Sequence, residues 1–77
     1  MSVQYYNWSE YLLAVTVQYS GGHTFLYLSE HVSQEDFFER LLPMSDRTVA
    51  GFRVEPLMDE AFDMLAATLK PSYIIRN

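Results

Sequence analysis

The sequence predicts an α+β fold: a small, mostly antiparallel sheet with two helices packed on one face. Three observations predict it. A Gly21-Gly22 pair is flanked on both sides by β-branched and aromatic residues. Two further segments carry apolar residues at helical spacing, with start and stop residues in place, and a strand-like run separates them. Both helices are amphipathic, so a sheet covered on one side buries their apolar stripes economically. The predicted order is β-hairpin, helix, strand, helix and short C-terminal strand. The 77 residues form a single domain, 1–77, with no linker, internal repeat or low-complexity segment.

The hairpin is read from "EYLLAVTVQYSGGHTFLYLSE". Gly21-Gly22 accepts the positive φ of a two-residue primed turn. Pairing Ser20 with His23 then sets Val17 opposite Leu26 and Val15 opposite Leu28. One face holds Leu13, Val15, Val17, Leu26 and Leu28 and is the expected core. The other holds Leu12, Ala14, Thr16, Gln18, Phe25 and Tyr27. That face is too apolar for free solvent, so it is either covered or used for binding.

"VSQEDFFERLLP" reads as a short helix. Ser33 is its N-cap, Asp36 stands at the capping-box position, and Val32 and Phe37 have the spacing of a hydrophobic staple. Glu35 and Asp36 complement the positive end of the helix dipole and Arg40 the negative end. Pro43 stops the helix, and Phe37, Phe38, Leu41 and Leu42 form its stripe. "SDRTVAGFRVEP" reads as a strand starting near Arg47. Ala50, Phe52 and Val54 share one face, Val49, Gly51 and Arg53 the other, and Gly51 marks a bulge or a close backbone approach.

"PLMDEAFDMLAATLKP" reads as a second helix, with Pro56 in its first turn and Asp59 and Glu60 at its positive end. Met58, Ala61, Phe62, Leu65 and Leu69 recur at helical spacing, and Lys70-Pro71 closes it. "SYIIRN" adds a short edge strand through Tyr73, Ile74 and Ile75.

Composition excludes several classes of function. Ten acids against five bases give a net charge of −5, and the bases are scattered, which disfavours direct nucleic-acid binding. There is no run of about 18 apolar residues, so no membrane span is expected, and no secretory signal is visible. The absence of cysteine points to a reducing, cytoplasmic setting. The match of Asn7-Trp8-Ser9 to a glycosylation sequon carries little weight without export.

No constellation for catalysis is apparent, and no cofactor or metal is expected. His23 lies at the hairpin turn. His31 stands next to Glu30, but no spacing resembles a zinc motif. The chain is therefore read as non-enzymatic.

Two features remain as candidate binding surfaces. Glu35, Asp36 and Glu39 fall on the polar side of the first helix, and Asp59, Glu60 and Asp63 on that of the second. They are either two solvated helix faces or, lying side by side, one negative strip suited to a basic groove that normally holds nucleic acid. The second feature is aromatic: Tyr5, Tyr6, Trp8 and Tyr11, together with Phe25 and Tyr27 on the open sheet face. Tyr and Trp are enriched at interfaces, where one ring contributes both area and a hydrogen bond. The same rings also suit an N-terminal segment folded back to cap the sheet.

In size, acidity, lack of cysteine, aromatic content and compact α+β organisation, the chain resembles the small inhibitors carried by phages and mobile elements, such as anti-CRISPR proteins. The resemblance is one of overall type. It implies a protein that binds and blocks a host protein or nucleoprotein complex in the host cytoplasm, through the acidic helix faces or the aromatic sheet face. The alternative is a small self-associating structural or regulatory subunit, a homodimer formed through the open sheet face or an edge strand.

Overall fold

A computed structural model describes residues 7–42 and 47–77 of the chain. Strand β1 spans Leu12–Tyr19, β2 Thr24–Glu30, helix α1 Gln34–Leu41, β3 Val49–Leu57, helix α2 Asp59–Thr68 and β4 Ile74–Arg76. Short 3-10 turns at Trp8–Glu10 and Pro71–Tyr73 lead into β1 and β4. The class is α+β, with the elements in the predicted order. The sheet runs β3-β1-β2-β4. β1 is antiparallel to β2 and to β3, whereas β4 joins the far side of β2 in parallel.

The hairpin closes one residue further back than the two-residue turn predicts. The Tyr19 N–H donates to the His23 carbonyl at 2.7 Å, leaving Ser20, Gly21 and Gly22 as a three-residue loop. Gly21 and Gly22 sit at φ of 93° and 90°, left-handed values that a side chain disfavours. Two- and three-residue loops both accept Gly-Gly, so the dipeptide alone does not set the register. In the observed register Val17 lies opposite Phe25 and Val15 opposite Tyr27. A slip of one residue turns every β2 side chain to the other face. Phe25 and Tyr27 therefore join Leu13, Val15 and Val17, while Leu26 and Leu28 join Leu12 and Ala14.

Both sheet faces are apolar in this register, as they are in the predicted one, and two apolar faces need two covers. The helices accordingly pack on opposite faces rather than together on one. On the first face, Phe37 and Leu41 of α1, with Trp8 and Val32, pack onto Leu13, Val15, Val17, Tyr19, Tyr27, Val54 and Ile75. On the second, Phe62 of α2 packs onto Ala14 and Leu28, with Leu12, Leu26, Leu57, Leu65, Ala66, Leu69 and Ile74 around them.

The N-cap of α1 acts as read. Ser33 is extended, and its Oγ accepts the Asp36 N–H at 3.1 Å. Arg40, in the last turn, donates to the carbonyl of Arg76 and so ties the helix to β4. Arg76 in turn pairs with Glu30 at 2.6 Å across the β2–β4 ladder. Pro43 lies outside the described residues.

Pro56 belongs to β3, not to the first turn of α2, which starts at Asp59 after an extended Met58. The ladder explains why a proline is accepted there. Because Tyr19 bonds to β2, alternation directs the odd-numbered residues of β1 to β2 and the even-numbered ones to β3. Opposite those even residues stand Gly51, Arg53, Glu55 and Leu57, so Phe52, Val54 and Pro56 turn their backbone groups to the outer edge. A missing N–H breaks no ladder bond at that position. β3 starts at Val49, after the predicted Arg47, and its bulge falls between Gly51 and Val49, next to the glycine singled out for one.

Phe37 is fully buried and meets Trp8 (ring centroids 5.4 Å apart), Tyr27 (6.2 Å) and Phe38 (5.1 Å). Replacing Phe37 with Ala is expected to cost about 3–5 kcal/mol, a large share of the roughly 5–15 kcal/mol that stabilises a small domain. Urea unfolding followed by circular dichroism checks it. A loss below about 1 kcal/mol would show that α1 is not held by this contact.

Candidate functional site

The register decides what becomes of the aromatic candidates. Trp8 is 2% exposed and sits over the α1-side face, against Phe37, Phe38 and Phe52 at 5.4–5.9 Å between ring centroids. Its turn is held to the end of β2 by His31. The His31 N–H donates to the Tyr11 carbonyl at 3.1 Å, and Nδ1 lies 3.2 Å from the Ser9 carbonyl. A carbonyl only accepts, so Nδ1 carries the proton in that contact. His31 adopts φ of 54°, a left-handed conformation costing about 1–2 kcal/mol for a residue with a Cβ. The histidine is thus a structural clamp.

Tyr27 is buried and Phe25 half-buried, both within this same core. Of the predicted aromatic patch only Tyr11 is exposed, at 41%; Tyr5 and Tyr6 lie outside the described residues. The rings at Trp8, Phe25 and Tyr27 therefore cover the sheet and do not present it. The correction follows from the hairpin loop, which turns Phe25 and Tyr27 towards α1.

The acidic candidates are all exposed, but they do not form one strip. Glu35, Asp36 and Glu39 lie on the outer side of α1, and Asp59, Glu60 and Asp63 on the outer side of α2, with the sheet between them. Met64 is 72% exposed within the α2 set.

The α1 set is joined by an apolar floor. Gln34, Phe38 and Leu42 recur every fourth residue along one side of the helix, and Glu35 and Glu39 form the adjacent row. Together the five line an open groove of about 520 Å³. Phe38 is half-buried, its ring 5.0 Å from Phe52 and 5.9 Å from Trp8, so the core beneath fixes the floor. Leu42 is 58% exposed at the C-terminal end of the row. The groove is an acid-edged apolar slot, suited to an apolar side chain flanked by basic ones.

Glu35 and Glu39 were legible from the helix pattern. Gln34 and Leu42 were not: Leu42 reads as part of the core stripe, but one helix this short cannot bury four apolar positions on one sheet. A second, more polar depression of about 400 Å³ is lined by Thr16, Arg53, Val54 and Glu55. No group of three or more His, Cys, Asp or Glu residues gathers in a metal-binding arrangement among the described residues. No helix of the described residues is long and apolar enough to cross a membrane. Comparison with protein-family models, curated proteins and solved structures finds no match for the chain.

The Tyr19 and Tyr27 hydroxyls bond to each other at 2.9 Å inside the core. Burial, followed by the hydrogen bond and the proximity of Tyr19 and then by Tyr73, holds the Tyr27 phenol well above the ordinary tyrosine range. An unfolded Tyr27 loses its proton near pH 10 while the folded one retains it, so its contribution to stability is complete below that pH and falls above it. Urea midpoints measured from about pH 8 to pH 11 should decline at the alkaline end, and the decline should be shallower in Tyr27→Phe. Equal slopes in the two proteins would contradict the assignment.

Proposed function

We propose that the chain is a non-enzymatic protein-interaction module, an inhibitor that blocks a host protein or nucleoprotein complex by occupying a basic surface on it. The observation that carries this reading is the α1 groove, where the apolar floor of Phe38 and Leu42 lies beside Glu35 and Glu39. An apolar anchor in a slot contributes most of the affinity at such a site, and the surrounding acids select a basic partner. The net charge of −5 acts over longer range, raising the encounter rate with a positively charged groove of the kind that otherwise holds nucleic acid. The lack of cysteine suits action in the cytoplasm.

The aromatic sheet face, the other contact surface that the anti-CRISPR-like resemblance implied, is covered by α1 and Trp8. The acids of α2 face the opposite way from the groove, so they are not required for the same contact.

The reading predicts an asymmetric mutational pattern in binding to a partner captured from host lysate. Glu35→Lys combined with Glu39→Lys, or Leu42→Asp alone, should weaken binding about tenfold or more, and added salt should weaken the wild-type complex. Asp59→Lys, Glu60→Lys and Asp63→Lys together should change it by no more than about twofold. Normal binding by the α1 variants, with loss confined to the α2 set, would overturn the groove assignment.

A further inference from the structure

β3 is an edge strand of nine residues, Val49–Leu57, in a sheet whose two faces are already occupied. A free edge this long is a template for pairing with another strand, and proteins commonly blunt such edges with charge or proline. The chain places both on this edge: Arg53, Glu55 and Pro56 are all exposed. Neither Arg53 nor Glu55 has an ion-pair partner among the described residues. The backbone groups of Phe52 and Val54 point to the outer edge, together with the carbonyl of Pro56, and no strand of the described residues takes them.

The order of these residues is self-complementary. We propose that β3 pairs antiparallel with β3 of a second copy of this chain, about a twofold axis at Val54. In that register Arg53 of each copy lies directly opposite Glu55 of the other, on the α2 side of the sheet. These are non-hydrogen-bonded positions, where opposed side chains come closest, and opposite charges there favour pairing. On the α1 side, Phe52 of each copy meets Pro56 of the other.

The hydrogen bonds are compatible with this arrangement. The two Val54 residues exchange N–H···O=C bonds at the axis, and each Phe52 N–H donates to the Pro56 carbonyl opposite. The proline has no N–H to return, so the Phe52 carbonyl opposite it takes no bond from the second strand.

No neighbouring register does as well. Moving the axis one residue either way sets Arg53 against Arg53 or Glu55 against Glu55, and like charges directly opposite repel. The two charges therefore favour this register over its immediate neighbours, where a plain apolar edge would not distinguish them. The contact is isologous and closes on itself, so it produces a dimer and no fibre. It stands independently of the function proposed above.

Analytical ultracentrifugation of the full chain tests it, using Arg53→Glu and Glu55→Arg. The wild type should show a concentration-dependent dimer below about 1 mM. Either single variant places like charges opposite each other on both sides of the axis and should raise the apparent dissociation constant about tenfold or more. An equimolar mixture of the two variants brings acids opposite bases again and should recover the dimer. Both positions are exposed, so the fold should survive, with circular dichroism as the check. If either variant loses its native spectrum, Glu55→Gln takes its place and should still weaken the wild-type dimer. A wild type that stays monomeric throughout, single variants that dimerise normally, or a mixture that does not recover would each overturn the proposal.

Discussion

The packing of Trp8 against α1 is the contact on which the rest of the molecule depends. A chain of 77 residues buries a smaller share of its surface than a larger domain does, so each large ring matters. Burying an indole removes roughly 150–250 Å² from water, worth about 4–6 kcal/mol at 25 cal/mol per Å². Its Nε1 is left without a hydrogen-bond partner, at a cost of about 1–3 kcal/mol. Area wins over the lost bond. Trp8 closes the space between α1, Phe52 of the edge strand and the end of β2. The left-handed His31 is tolerated because it holds this turn in place.

Closing that face determines which surfaces remain for recognition. With α1 and Trp8 on one side of the sheet and α2 on the other, no broad apolar sheet face is left open among the described residues. What remains is the outer side of each helix and the two sheet edges, of which β4 is short and β3 long. The floor of the α1 groove exists because Phe38 rests on Trp8 and Phe52, so the core and the groove share residues. The two acidic clusters, separated by the sheet, address different directions and act as independent surfaces.

Much of this was legible in the sequence, and the failures share one cause. Ser33, Phe37 and Leu41 of α1 act as their local pattern indicates, and were readable because the helix period and its N-cap decide them. So were the existence of each strand and the order of the elements. The hairpin register was not, because Gly21-Gly22 fits loops of two and of three residues equally well. That single residue then propagated: it moved Phe25 and Tyr27 to the face that α1 covers, and Leu26 and Leu28 to the face that α2 covers. Pro56 was misplaced for a related reason, since a proline before an acidic helix start also fits the outward positions of an edge strand. For the site, Glu35 and Glu39 followed from the helix pattern. The exposure of Leu42 depends on where α1 lands on the sheet, which no local signal carries.

Trp8 is the only tryptophan, so its fluorescence reports directly on whether the N-terminal turn closes the α1-side face. In the native protein at neutral pH, emission should be blue-shifted, protected from acrylamide quenching, and moved to the red in one cooperative transition on adding urea. Emission at the wavelength of a fully hydrated indole, with quenching equal to that of the unfolded chain, would mean that Trp8 is exposed and the sheet face open, and would contradict the account at its base.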